Sequence, residues 1–279
     1  MAVTIKELSY QYPDGTTGLH SISVKMARGK RTAILGINGS GKSTLLYHLN
    51  GTFLPQKGEI IVLDEPVTKN NLENVRKKVG FLFDYPDHQL FATTVARDVA
   101  FGPRNYRFSE EEATKAAETA MTKVGIMELK EKPPYQLSLG QKKRTAIAGV
   151  LAMNPDLIVC DEPFSGLDTY AEEQFKSVLD EWINEGKSLI FSTHDIDMVY
   201  GWADEVVIMA EGKILEIGCA EHILNNKELM QRAKLRRPIL AEIFEDRTEK
   251  PRTTFEALKY IKSGTFDSLK KINSKEEKK

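Results

Sequence analysis

The sequence predicts an α/β fold built on a mostly parallel sheet, and three observations carry that reading. A short strand-like run over Arg31–Leu35 passes through a glycine-rich loop into helical apolar spacing at residues 45–49. Two more apolar runs, Leu157–Cys160 and Ser188–Ser192, flank a segment in which Phe175, Val178, Leu179, Trp182 and Ile183 fall on one helical face before Gly186. Strand, helix, strand in that order requires a crossover, which makes the two strands parallel. Third, residues 206–209 and 214–217 flank Glu211-Gly212-Lys213 and read as a hairpin.

The remaining elements follow from local chemistry. Residues 3–12 and 22–26 are β-rich and separated by the turn sequence Pro13-Asp14-Gly15, so an antiparallel entry region is expected. Residues 109–124, SEEEATKAAETAMTKV, open with a Ser-x-x-Glu capping box, hold acids in the first turn and contain strong helix formers, which predicts a helix. After about Ala220 the chain becomes helical and highly charged, with a Lys/Glu-rich tail from about Ser274 that is expected to lack structure. Ile239, Leu240, Ile243 and Phe244 have helical apolar spacing after Pro238, a residue suited to the first helical position. That face fits either a second subunit or the chain's own domain.

Bulk properties exclude several classes. With 39 basic and 40 acidic side chains in 279 residues the net charge is −1, so any phosphate-binding charge must be local and no general attraction to nucleic acid or anionic lipid is expected. Cys160 lies in an apolar run and Cys219 in a Gly-flanked turn, and two isolated thiols make neither a disulfide framework nor a metal cluster. No apolar stretch approaches the ~20 residues that cross a bilayer, and MAVTIKELSY is not a secretory leader.

Gly36-Ile37-Asn38-Gly39-Ser40-Gly41-Lys42-Ser43-Thr44 matches G-x-x-x-x-G-K-[ST] between the expected strand and helix, the context that a phosphate-binding loop requires. The glycines let successive N–H groups turn toward an anion. Lys42 neutralises β/γ-phosphate charge, and Ser43 offers an oxygen to Mg²⁺. At Leu157–Cys160 a buried strand runs into Asp161 and Glu162, suited respectively to holding Mg²⁺ and to polarising an attacking water. On its own an Asp-Glu strand end is more often solvated, and its meaning here comes from the loop.

Leu137-Ser138-Leu139-Gly140-Gln141 resembles the LSGGQ signature of ABC ATPases, while Ser138-x-x-Gln141 is also a capping box opening a helix to about Met153. The rest of the family's motifs occur in order. Tyr12 matches the aromatic that stacks on adenine, Ser165-Gly166-Leu167-Asp168 the D-loop, and His194 in Ser192-Thr193-His194-Asp195 the switch histidine that senses the γ-phosphate. The resemblance covers roughly residues 3–220. It implies a P-loop NTPase core with a mostly parallel sheet, an antiparallel β subdomain, a helical signature subdomain at about 84–155 and a small C-terminal helical extension over 221–279. It further implies ATP and Mg²⁺ as ligands, with Tyr12, Gly36, Asn38, Gly39, Ser40, Gly41, Lys42, Ser43 and Thr44 binding one nucleotide and Glu162 and His194 acting in hydrolysis. Ser138, Gly140 and Gln141 would face the nucleotide of a second ATPase subunit, which leaves a homodimer or a pairing with a related paralogue open.

Within the family, residues 81–91, residues 98–103 and Gln141-Lys142-Lys143-Arg144 look like energy-coupling-factor importers, the last of these more like the cobalt and nickel branch than the vitamin branch. The implied partners are a transmembrane coupling protein and a substrate-capture membrane protein, with the chain peripheral on the cytoplasmic face of the membrane. Tyr85 and Phe91 would clasp a partner helix. In such importers the C-terminal extension helps to hold the dimer. Two positions depart from the family: Asp84 replaces the Q-loop glutamine and is expected either to bind Mg²⁺ or to swing away, and Leu139 replaces a signature glycine. An ABC ATPase acting on DNA or ribosomes lacks support in charge or inserted coiled coil, and a P-loop kinase would not need the signature, D-loop and His194 together.

Overall fold

The computed structural model describes residues 1–106 and 108–263, which form two sheets and eleven α-helices. The first sheet is antiparallel with strand order β2-β1-β4-β5, from β1 (Val3–Gln11), β2 (Thr17–Met26), β4 (Lys57–Val62) and the two-residue β5 (Glu65–Pro66). The second has the order β10-β9-β3-β8-β7-β6, from β3 (Arg31–Leu35), β6 (Val79–Leu82), β7 (Leu157–Cys160), β8 (Ser188–Ser192), β9 (Glu205–Ala210) and β10 (Lys213–Cys219). All its pairings are parallel except the β9–β10 hairpin. Cys219 is therefore the last residue of an edge strand, which corrects the expectation of a turn.

Both faces of the larger sheet are covered, which explains why its central strands are apolar runs rather than alternating ones. Period-2 geometry sorts them: Ala33, Leu35, Ile158, Cys160, Leu189, Phe191, Val206 and Ile208 enter one apolar cluster. Ile34, Leu157, Val159, Ile190, Val207 and Met209 enter the other, shared with the antiparallel sheet.

The helices are α1 (Lys42–Leu49), α2 (Leu72–Lys78), α3 (Val95–Asn105), α4 (Glu110–Lys123), α5 (Leu139–Ala152), α6 (Thr169–Asn184), α7 (Ile196–Trp202), α8 (Ala220–Asn225), α9 (Lys227–Arg232), α10 (Ile239–Ile243) and α11 (Thr254–Lys262). Helices α3, α4 and α5 pack on one another between β6 and β7 in sequence, through Val95, Val99, Ala117, Met121, Ile147 and Leu151. The capping boxes expected at Ser109 and Ser138 are both formed. Close approach of α5 to the sheet depends on Gly80, where an added Cβ would lie 2.4 Å from Val150 Cγ1.

Beyond β10 the apolar face expected around Ile239 is divided. Phe244 is buried and Leu240 packs on the core, while Ile239 and Ile243 are each 54% exposed. Pro238 stands at the N-cap of α10 rather than inside its first turn, which corrects the expected position. The Lys/Glu-rich tail from Ser274 lies outside the described residues.

Candidate functional site

The carboxyl ends of β3, β6, β7 and β8 converge, the usual ligand edge of an open α/β sheet. From β3 the chain enters the loop 36–41, and α1 starts at Lys42 with Gly41 as a left-handed N-cap at φ 100°. That loop is tightly housed: a Cβ on Gly36 would sit 2.4 Å from both Met209 O and Ser40 Oγ. Gly39, at φ 78°, faces open space, and Asn38 and Gly39 are exposed. From the β9–β10 turn, Gly212 N–H donates to Ser40 O at 3.0 Å, so the hairpin braces the loop. Ser40 Oγ is buried without a hydrogen-bond partner, and no side chain caps α1, which leaves polar groups of the loop suited to an anion.

Lys42 is only 8% exposed and donates to Gly36 O at 2.8 Å and Ile37 O at 3.3 Å. Burial pushes its pKa down, with the Glu162 and Asp161 carboxylates pulling it back up. Behind the loop, Tyr12 shares a 2.7 Å hydrogen bond between its hydroxyl and Thr44 Oγ1, and its ring lies over Gly18 and edge-on to Tyr10 and Phe53. Thus Tyr12 borders the loop through Thr44.

At the end of β7, Asp161 is buried, and one of its carboxylate oxygens accepts from Ser192 Oγ at 2.5 Å. The same Ser192 hydroxyl accepts from Glu162 N–H at 3.0 Å. Glu162 has a left-handed backbone at φ 45° and places Oε2 3.0 Å from His194 Nδ1. Strand β8 ends at Ser192, and the exposed His194 follows two residues beyond it, just as Glu162 follows two residues beyond the end of the neighbouring β7. Asp84, just beyond β6, joins this cluster electrostatically. Burial raises its pKa, offset by Lys143 and His194 and reinforced by Asp161.

Ser43, in the first turn of α1, and Asp161, buried just past β7, carry oxygen donors, the kind that suits Mg²⁺ shared with substrate phosphates. Among the described residues, no group of three or more His, Cys, Asp or Glu side chains could hold a metal by itself.

Ser138, Gly140, Gln141 and Asp168 stand elsewhere. Ser138 caps α5, its Oγ accepting from Gln141 N–H while its own N–H donates to Gln141 Oε1 at 3.0 Å. Asp168 caps α6 by accepting from Ala171 N–H at 2.8 Å. The two caps adjoin: Leu139 lies against Gly166, and Leu167 is near Gly140. Among the described residues no hydrogen bond joins this group to residues 36–44. Tyr85 and Phe91 are exposed at 64% and 65%, with Phe91 edge-on to Phe101.

Two residues of the site carried no assigned role in the sequence reading. Ser192 was visible only as a strand end. Lys143 is 2% exposed and donates to the carbonyls of Glu162, Pro163 and Ser165 at 3.1, 3.2 and 2.7 Å. Its signal was a lysine spaced i, i+4, i+7 with Ile147 and Val150, on the apolar face of its helix.

A family model described as ABC transporter matches residues 19–165. The energy-coupling factor transporter ATP-binding protein EcfA2 of Methanospirillum hungatei is 41% identical over 278 residues, covering 96% of this chain and 70% of that protein. EcfA of Carboxydothermus hydrogenoformans is 44% identical over 88% of this chain and 91% of its own. Among solved structures, CbiO1 from Clostridium perfringens, part of the ABC transporter complex CbiONQ, superposes with a TM-score of 0.73 at 39% identity over 88% of this chain and 98% of that one. A dimeric ATP-binding cassette in a post-hydrolysis state, bound to ADP and Pi, gives 0.72 at 26% identity over 78% and 99%. With these likenesses spanning the sheet edge just described, the chain belongs to the ATP-binding, ATP-hydrolysing subunits of ABC transporters, in their energy-coupling factor branch.

Proposed function

We propose that this ATPase works as a head-to-tail pair, with a second copy or a related paralogue, closing on two ATP and two Mg²⁺ to power import of a trace metal ion, cobalt or nickel. The observation that carries the pairing is the separation of two half-sites on one chain. Residues 36–44 share an edge with Asp161, Glu162 and His194, whereas the exposed Ser138 and Asp168 and the half-buried Gly140 and Gln141 form a second group, with no hydrogen bond to the first among the described residues. Each group completes the other only across two subunits. A likeness to a dimeric cassette that holds ADP and Pi supports this.

In this reading Tyr12 stacks on adenine, and the amides of Gly36, Asn38, Gly39, Ser40 and Gly41, with Lys42, Ser43 and Thr44, cradle the phosphates. Ser43 and Asp161 would hold Mg²⁺, which when bound would neutralise phosphate charge, and Asp84 would either bind it directly or swing away. Glu162 accepts a proton from the water as its oxygen bonds to the γ-phosphorus and the bridge to the β-phosphate breaks. His194, held by the same carboxylate, senses the γ-phosphate.

The ATPase unit in this proposal is residues 1–220, with the helical signature part at about 84–155 and residues 221–279 as a C-terminal extension whose exposed Ile239 and Ile243 would meet the second subunit. No helix among the described residues is long and apolar enough to cross a membrane. In this reading the chain sits peripherally at the cytoplasmic face, docking a transmembrane coupling protein near Tyr85 and Phe91 beside a substrate-capture membrane protein, with no nucleic acid involved. Support for the metal branch comes from Gln141-Lys142-Lys143-Arg144. A vitamin importer is the second reading, and the likeness to EcfA proteins fits it equally.

The test is Glu162→Gln. ATP-dependent dimers trapped by the variant, with hydrolysis lowered by roughly 100-fold or more, are expected for loss of a proton acceptor. A variant that hydrolyses ATP at the wild-type rate would overturn the assignment of Glu162.

A further inference from the structure

Glu162 adopts a backbone conformation, φ 45°, that a residue with a side chain holds only if its surroundings fix it. Two contacts fix it from opposite sides. Its N–H donates to Ser192 Oγ at 3.0 Å, and its C=O accepts from Lys143 Nζ at 3.1 Å. The same ammonium binds Pro163 O at 3.2 Å and Ser165 O at 2.7 Å, so all three of its donors are used on one stretch of main chain. At 2% exposure Lys143 has little access to solvent, and among the described residues no carboxylate forms an ion pair with it. Water cannot readily replace those bonds.

We infer that Lys143 is a positioning residue for hydrolysis: from the signature helix it clamps the main chain of Glu162 and so aims the carboxylate that polarises the attacking water. The inference rests on the reading of Glu162 given above. Lys143 lies five positions after the N-cap Ser138, about 7.5 Å further along a single helix. One rigid element thus presents Ser138 to solvent at one end and grips the catalytic loop from its second turn. The departure at Leu139 reinforces this arrangement, since its side chain rests on Gly166, the residue after the last carbonyl that Lys143 holds.

The experiment is steady-state ATP hydrolysis by the full chain with Mg²⁺, comparing Lys143→Met, Lys143→Gln, Glu162→Gln and the Glu162→Gln/Lys143→Met double variant, with ATP binding measured separately. Methionine keeps most of the length and packing without the donors, and glutamine keeps two of them. Lys143→Met is expected to lower kcat on the order of 10–100-fold, as small displacements of catalytic groups do, with ATP affinity and KM within about twofold. Lys143→Gln should fall between Met and wild type. The double variant should be no slower than Glu162→Gln alone, because Lys143 acts only through that side chain. A kcat within about twofold of wild type in both single variants would overturn the inference, as would additive losses in the double variant or a parallel loss of ATP affinity. Should Glu162→Gln itself leave hydrolysis unchanged, the reading of Glu162 falls, and with it this one; the two failures are distinguished by which single variant is silent.

Discussion

Replacing Ser192 by alanine removes one hydroxyl that serves two groups of the site at once. Ser192 is fully buried; its Oγ donates to Asp161 at 2.5 Å and accepts from Glu162 N–H at 3.0 Å. A hydrogen bond to a buried carboxylate is worth about 1.5–3 kcal/mol, and leaving a backbone N–H unpaired costs about 1 kcal/mol more, so the variant should lose about 3 kcal/mol. For a chain of this size that is a fall in Tm of roughly 6–12 °C. Thermal unfolding at fixed pH and salt, followed by circular dichroism, measures it. Hydrolysis should also need several-fold more Mg²⁺ for half-maximal rate, because the Asp161 carboxylate loses the donor that fixes its rotamer. A Tm within about 2 °C of wild type, together with an unchanged Mg²⁺ requirement, would refute the reasoning and make Ser192 a filler of the strand end.

Asp84 gives a pH-dependent prediction. Its carboxyl is raised above the ordinary aspartate value, first by burial and further by Asp161, so the folded chain binds its proton more readily than the unfolded one. The stability it contributes is therefore complete below the unfolded aspartate pKa and is lost as pH rises through the folded value. Urea midpoints of wild type relative to Asp84→Asn should fall between pH 4 and pH 7; a constant difference would show that the carboxyl titrates alike in both states. Leu139→Gly should leave turnover within about threefold, since the Ser138 cap survives, although the contact with Gly166 is lost. A sharply faster variant would identify Leu139 as a brake.

The sequence was most legible where backbone chemistry is local. Apolar runs without alternation marked strands buried on both faces, and Ser-x-x-Glu and Ser-x-x-Gln placed two helix starts to the residue. The phosphate loop was legible because its glycines serve conformation: Gly36 has no room for a Cβ, and Gly41 is left-handed. Ser192 and Lys143 stayed hidden because their roles depend on partners 30–31 and 19–22 positions away, which no period reveals. Around α10 the pattern was readable and its allocation was not, since one helical face can serve both its own core, through Phe244, and solvent, through Ile239. Pro238 misled by a single position because its φ of −58° suits an N-cap as well as a first turn.

One contact far from the nucleotide edge bears on how the chain is made. Helix α7 starts just past His194 and has no basic residue in its own last turn. That cation arrives from Arg252, whose guanidinium donates to Tyr200 O at 2.7 Å and Ala203 O at 2.6 Å, meeting the negative end of the helix from 52 and 49 residues downstream. During synthesis the sheet and its histidine emerge well before their helix acquires this cap. The C-terminal end of this helix is thus capped by a segment translated after it, one that lies outside the ATPase core.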